Sequence, residues 1–319
     1  MTLTNASVGI VPIIFANDDL PELTPPIEPE ALAMQLARLG FRGSQLSRAL
    51  PPLDCLDKHA LRIAEVYAAL PCTSDGPTPQ ARELAFERLL AAQRSHASVL
   101  VFSYHLSPER VGWSGRANDP AAPKLTEQGQ TRALDLLTEI ARASDRPLVY
   151  HPHTGTFVET PEEVEWLMSS TDADLVGLCL DVGHYIVGGG DPVQAIQRYR
   201  QRVRHVHMKD VDGRVLAQLR AGAIPDFHEA LRARVFTELG NGVLDLIGVL
   251  RELSRQDYSG WLMCEQDTTW RPAAESAAIS RAVLAFATRL VSSQARNGSR
   301  GRCRLDSWCC TSRVDPPAS

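Results

Sequence analysis

Short apolar runs alternate with longer amphipathic segments along most of the chain, and this alternation limits the possible fold more than any other feature. Continuous runs rich in Val, Ile and Leu are typical of parallel strands that are buried on both faces. The predicted strands are Val8–Ile14, Arg42–Leu46, Leu61–Val66, Ser98–Phe102, Pro147–His151, Val176–Leu180, Val203–Met208 and Trp261–Glu265. Eight strands, most of them followed by a helix, predict a (β/α)8 TIM barrel, with a doubly wound sheet as the alternative.

Segments with helical periodicity fill most of the gaps between these runs. Thr160-Pro-Glu-Glu163 has the pattern of a capping box, so a helix is expected to begin there and to extend to Met168. The other predicted helices are Pro29–Leu39, Pro79–Arg94, Thr126–Ser144, an amphipathic stretch from Pro192, a short helix at Phe227–Arg234, Val243–Gln256 and Ala273–Val291. No linker divides residues 1–293, which we interpret as one catalytic domain. Residues 294–319 are rich in Arg, Ser and Pro and are expected to form a disordered tail.

Composition limits the partners and the compartment. The formal net charge of −5, without a basic stripe, argues against nucleic acid as a partner. No apolar run approaches the roughly 20 residues that span a membrane, and the N-terminus lacks the pattern of a signal peptide. A cytoplasmic protein is therefore expected, and a homo-oligomer stays open.

Ionisable side chains cluster at the ends of the later strands. They are His151, His153, Asp181, His184, His205, His207 and Glu265. In a barrel the carboxyl ends of all strands meet at one face, so these nitrogen and oxygen donors are expected to converge. A set of His, Asp and Glu without Cys suits a divalent cation such as Mn²⁺, Co²⁺, Zn²⁺ or Mg²⁺.

The His-Val-His sequence on the seventh strand puts two histidines on one side, because residues i and i+2 share a face. His207 is nearer the strand end and is the better metal ligand, whereas His205 is assigned to packing, to support of the site or to contact with the substrate. Lys209 is expected to donate a proton or to stabilise an enolate oxygen, and the alternative is a solvated ion pair with Asp210. After the first strand, Asn17 and Asp18 are expected to meet substrate hydroxyls or to form an Asx-type turn.

Several segments together resemble the sugar isomerase/epimerase-like barrels, a superfamily that includes the xylose-isomerase-like enzymes. The segments are DVGH, GGGDP, RVRHVHMKDV and YSGWLMCEQD. A second group of segments is similar to the inosose (2-keto-myo-inositol) dehydratases within that superfamily. They are FANDDLPEL, HPHTGTFVETPEE and FTELGNGVLDL. The resemblance covers about residues 8–290.

The resemblance implies one divalent metal ion, with Mn²⁺ or Co²⁺ preferred, bound by residues at the ends of strands five to eight. The superfamily positions match Asp181, His207 and Glu265, and the strand-five position, usually a Glu, matches His151. Two fallbacks for the strand-five ligand are His153 and Glu159.

The resemblance also implies residues that contact the substrate. The usual substrate-contacting His matches His184, and His153 and His205 are placed in the same group. The second strand carries Gln45 where the family usually has a Glu, and this departure leaves room for a changed substrate or a weakened activity.

By this resemblance the chain is expected to be a lyase of inositol catabolism that removes water from a keto-inositol or a similar cyclic polyhydroxy ketone through an enediolate. Glu265, His184 and Lys209 are the candidates for proton transfer. The first alternative is a keto-sugar isomerase or epimerase with the same metal site. The second is a catalytically weak sugar-binding barrel.

Overall fold

Eight parallel strands form a closed barrel in which each strand pairs with its neighbours in sequence and the first pairs with the last. The structure is a computed structural model that describes residue 3 and residues 6–17, 20–24, 27–46 and 53–306, without side chains from residue 295. The barrel strands β1 to β8 are Ser7–Val11, Gly43–Leu46, Arg62–Leu70, Val99–Tyr104, Leu148–Tyr150, Val176–Asp181, Val203–Met208 and Trp261–Glu265. The predicted TIM barrel is confirmed, and the doubly wound sheet is wrong.

The first and third strands differ from their predicted bounds. β1 ends at Val11 because Pro12 has no N–H for the strand ladder, and a 3-10 turn, Pro12–Phe15, follows it. β3 continues to Leu70 and pairs with β4 over its whole second half. The extension of β3 lengthens the wall of the barrel on the side of β3 and β4.

Helices surround the barrel and mostly match the predicted segments. The helices α1 to α11 are Pro29–Arg38, Leu53–Lys58, Pro79–Arg94, Glu127–Ala143, Pro161–Ser170, Val182–Val187, Pro192–Arg198, Gly213–Arg220, Phe227–Arg232, Leu246–Arg255 and Ala273–Asp306. The capping box of α5 is confirmed, since Thr160 accepts from the Glu163 amide while the Glu163 carboxylate accepts from the Thr160 amide. None of the described helices is long and apolar enough to cross a membrane.

A small apolar cluster covers the end of the barrel at which β7 ends. Only one helix was predicted between residues 212 and 236, but the structure has both α8 and α9 there. Their apolar faces pack with residues of other loops, and we call this group the lid cluster. It includes Leu20, Val187, Val211, Leu216, Leu219, Phe227, Leu231 and Phe236. The lid cluster brings two phenylalanine rings to the mouth of the barrel.

The last helix is longer than predicted. α11 runs past Val291 to Asp306, so part of the segment predicted as a disordered tail is helical. Residues 307–319 lie outside the described residues. The boundary between a catalytic domain and a tail therefore stays a prediction.

Candidate active site

Four side chains from the ends of four neighbouring strands meet at the mouth of the barrel. They are His151 after β5, Asp181 on β6, His207 on β7 and Glu265 on β8, and each offers a ligand atom within 4.8 Å of the others. The strand register places the Cα of Asp181 beside that of His207, and β8 lies on the other side of β7. The parallel barrel thus brings together the four residues that the resemblance implied as ligands.

These donor atoms are buried without hydrogen-bond partners among the described residues. They are both ring nitrogens of His151, Oδ2 of Asp181, Nδ1 of His207 and Oε2 of Glu265. Nδ1 of His207 lies 2.6 Å from Oε2 of Glu265 and 3.8 Å from Oδ2 of Asp181. Buried polar atoms normally have hydrogen-bond partners, so five such atoms without one, on four neighbouring side chains, fit a cation. Two imidazoles and two carboxylates suit Mn²⁺, Co²⁺ or Zn²⁺.

Asp181 has two separate functions in this arrangement. Its Oδ1 accepts from the backbone amide of His184 at 2.8 Å and so caps α6. Its Oδ2 faces His151 and Lys209 at 3.5 and 3.4 Å. Burial alone would raise the pKa of this carboxyl, but Lys209 and the histidines hold it well below its usual range. The carboxylate is therefore ionised and ready to bind a cation.

Lys209 is buried in the site and does not form the predicted solvated pair with Asp210. Its Nζ lies 2.9 Å from Asp267, 3.0 Å from Glu265 and 3.0 Å from Nε2 of His184. Asp210 instead accepts from the backbone amides of residues 211, 240, 242 and 244. Although burial opposes it, the three surrounding carboxylates raise the pKa of Lys209. Lys209 thus carries a positive charge beside the four donors.

His184 is buried between Lys209 and Thr154. Its Nε2 accepts from the ammonium group of Lys209, which only donates. Its Nδ1 lies 2.9 Å from Oγ1 of Thr154 and 3.3 Å from the backbone amide nitrogen of the same residue. Burial and the neighbouring cation lower the pKa of His184 well below its usual value.

His153 stacks on His184 with a ring separation of 3.8 Å and stands outside the four-ligand set. Its Nδ1 lies 2.8 Å from the carbonyl of Thr154, to which it donates, so Nε2 carries the lone pair. Burial lowers the pKa of His153 to about 3. The rings of Phe227 and Phe236 from the lid cluster pack against His153 and His184 and cover this side of the site.

Glu65 is part of the site, although the sequence reasoning missed it. It lies on β3, is fully buried, and its Oε2 contacts Nε2 of both His205 and His207. Burial alone would raise the pKa of Glu65, but the two imidazoles lower it well below its usual range. The signal in the sequence was a carboxylate inside the apolar run LRIAEVYAAL. Of the functions assigned to His205, support of the site is the one that this contact favours.

The remaining predicted contacts differ in their placement. The side chain of Asn17 donates to the carbonyl of Asp267 and accepts from the amide of Leu20, which is the turn-forming alternative. Asp18 lies outside the described residues. Gln45 is buried on β2, and its Cα pairs with that of Glu65 on the neighbouring strand.

Glu159, a fallback for the strand-five ligand, holds two loops instead of joining the four-ligand set. Its two carboxylate oxygens accept from the amides of Gly115 and Gly155, each at 2.7 Å. Burial raises its pKa to about 7, although these amides and Arg110 oppose the rise. Glu159 is therefore an anchor for the loops that follow β4 and β5.

Replacing Glu159 by Gln is expected to lower the free energy of unfolding by about 1–3 kcal/mol, because the new NH₂ group faces a backbone N–H. The difference in the free energy of unfolding between wild type and variant should become smaller as pH rises from 4.5 to 7. The pKa of Glu159 is higher in the folded protein than in the unfolded chain, so folding favours the protonated form. The stability that this gives to the wild type is complete below the unfolded-state pKa and is lost as pH rises through the folded-state pKa. Urea unfolding at several pH values measures this, with exposed Glu162→Gln as the control. A deficit that grows with pH would contradict the assignment.

Comparisons with known proteins agree with this fold. The profile of the family described as xylose isomerase-like TIM barrel matches residues 35–287. The chain therefore belongs to this family. Among curated relatives, the inosose dehydratase of Geobacillus kaustophilus (strain HTA426) is 31% identical over 282 residues, which cover 83% of this chain and 89% of the relative. The inosose dehydratase of Clostridium botulinum (strain Eklund 17B / Type B) is 29% identical over 272 residues, with 82% and 89% covered.

Solved structures with the same fold include a dehydratase and an epimerase. The probable 3-DHS dehydratase of Bacillus anthracis has a TM-score of 0.66 at 16% identity and covers 88% of this chain and 98% of its own. An L-ribulose 3-epimerase has a TM-score of 0.65 at 15% identity, with 98% and 100% covered. At these identities the likeness concerns the fold alone. Together with the curated relatives, the family confirms the prediction of an enzyme similar to the carbon–oxygen lyases, with an isomerase or epimerase as the second choice.

Proposed function

We propose that this chain is a metal-dependent dehydratase that removes water from a keto-inositol or a similar cyclic polyhydroxy ketone. The observation that carries the proposal is the set of four unpaired buried donors beside the buried cation of Lys209. The similarity to inosose dehydratases over most of both chains supports the substrate class. A divalent ion held by His151, Asp181, His207 and Glu265 would polarise a ketone oxygen and acidify the neighbouring C–H. Mn²⁺ or Co²⁺ is the ion that we propose.

Glu265 and Lys209 are proposed as the proton-transfer pair. The carboxylate of Glu265 borders the site and accepts the proton next to the ketone, which leaves an enediolate. Lys209 then donates a proton to the departing β-hydroxyl group, so that one water molecule leaves. His184 accepts a hydrogen bond from Lys209 and holds the ammonium group in place.

His153 is proposed to orient the substrate. Its Nε2 carries a lone pair and accepts a hydrogen bond from a ring hydroxyl, since the opposite nitrogen donates to the Thr154 carbonyl. The rings of Phe227 and Phe236 exclude water from the same side. A buried, partly apolar wall of this kind strengthens the electrostatic interactions inside the site.

The product distinguishes dehydration from epimerisation, which begins with the same proton removal. The purified protein with Mn²⁺ or Co²⁺ is incubated with keto-inositols and keto-hexoses in D₂O, and products are analysed by mass spectrometry and near-ultraviolet absorption. Loss of one water and a new absorbing diketone or enol are expected with a keto-inositol. A product of unchanged elemental composition that carries deuterium at the α-carbon would instead establish an epimerase or isomerase.

A further inference from the structure

Glu65 connects opposite walls of the barrel. It lies on β3, and its partners His205 and His207 lie on β7, four strands away around the closed sheet. All three side chains are buried, with at most 1% of any residue exposed. His207 is also one of the four proposed ligands, so Glu65 contacts the ring of a ligand on the side that faces away from the other donors.

We infer that Glu65 is a positioning residue that fixes the tautomer and orientation of His207, with His205 holding the carboxylate in place. This inference rests on the proposed metal site. It assigns no contact with substrate or cation to Glu65. Glu65 instead determines which ring nitrogen of His207 is free to bind the cation.

The chemistry of the contacts leads to this assignment. An ionised carboxylate only accepts hydrogen bonds, so Nε2 of His207, at 2.8 Å, donates its proton to Glu65. Nδ1 of His207 also lies against a carboxylate, that of Glu265, so it carries a proton too until a cation displaces it. Because Nε2 keeps its proton against Glu65, the lone pair that His207 offers to a cation is on Nδ1. That atom lies 2.6 Å from the Glu265 carboxylate, in the ligand set. Partners of this kind orient metal-bound histidines and increase their basicity.

His205 limits how the carboxylate turns. Its Nε2 contacts the same Oε2 atom, so a single oxygen accepts from two rings on one strand. A second cation between Glu65, His205 and His207 is the competing arrangement. It would require His207 to bind one ion through each nitrogen, and a neutral imidazole has only one lone pair for this. The competing arrangement therefore predicts two ions per chain, and ours predicts one.

The test compares Mn²⁺ affinity and stoichiometry in chelator-treated wild type, Glu65→Gln, Glu65→Met and Ser103→Ala. Met offers no acceptor to His207, so its Mn²⁺ affinity should fall by about 10–100-fold. Gln keeps one oxygen acceptor and should lie between Met and wild type. Ser103 is buried on β4, and its hydroxyl donates to the neighbouring carbonyl of Tyr104, so its variant should bind as wild type does.

A second measurement does not depend on folding of the variants. Long-range ¹H–¹⁵N NMR spectra of Zn²⁺-loaded wild type should show a protonated Nε2 and an unprotonated Nδ1 on His207, with both imidazole protons that face Glu65 protected from exchange. Two ions per chain, a proton on Nδ1 of His207, or equal Mn²⁺ affinity in Glu65→Met and wild type would overturn the inference. If the wild type binds no metal, the proposed metal site is wrong as well. If it binds one ion but fails the tests above, only the role of Glu65 is wrong.

Discussion

Replacing Asp181 by Asn is expected to remove metal binding and turnover together while the barrel stays folded. The amide oxygen of Asn still accepts from the amide of His184 and caps α6, whereas an NH₂ group replaces the oxygen that faces the ligand set. A bound cation contributes several kcal/mol to a transition state. At 1.36 kcal/mol for each tenfold change, turnover should fall by at least about 10³-fold. Metal analysis, a turnover assay and the Tm of the chelated protein measure the three quantities.

Two further variants make this prediction specific. His207→Ala removes a ligand from the neighbouring strand and should also lose both metal and turnover. Asp174→Asn changes an exposed carboxylate just before β6, the strand that carries Asp181, and this variant should retain both metal and turnover. An Asp181→Asn protein with wild-type metal content and turnover would show that Asp181 is not a ligand.

Replacing Lys209 by Met is expected to have the largest effect on stability. The buried ammonium group balances Asp181, Glu265 and Asp267, and its removal leaves negative charges together in a buried site. Removing one partner of a buried ion pair costs about 3–5 kcal/mol, which chemical denaturation of the chelated protein would measure. Loss of the proposed proton donor should also lower turnover by about 10²–10⁴-fold.

The double variant Lys209→Met/Asp267→Asn separates these two effects. Asp267 is buried, and burial raises its pKa to about 7 although Lys209 opposes the rise. Replacing it by neutral Asn should restore part of the lost stability at alkaline pH, where the carboxyl would be ionised, without restoring turnover. Lys58→Met is the control, since its pair with Glu30 lies at the surface, and exposed ion pairs contribute little to stability. Full stability in Lys209→Met would mean that this charge is not needed in the site.

The ends of the later strands were predictable because the sequence changes sharply there. Asp181 and Glu265 follow uninterrupted apolar runs, and the i, i+2 rule places His205 and His207 on one face. In a parallel barrel these positions lie at one mouth, whatever the helices outside do. The resemblance to a known family was needed to select His151 for strand five, and the structure brings His151 into the four-donor set.

The supporting contacts were not predictable, because they join residues that are far apart in sequence. Glu65 and His207 are 142 positions apart, and only closure of the barrel brings β3 opposite β7. The sequence also leaves the direction of Lys209 open. In the structure the carboxylate of Asp210 accepts from four backbone amides, and the side chain of Lys209 enters the site instead of pairing with Asp210.

The most direct test of the central claim is turnover of 2-keto-myo-inositol as a function of Mn²⁺ added to chelator-treated wild-type protein. Water loss should be absent at first, rise in proportion to bound Mn²⁺ and saturate at one ion per chain. Water loss at the same rate before any ion is added, or none at full occupancy, would contradict a metal-dependent dehydratase.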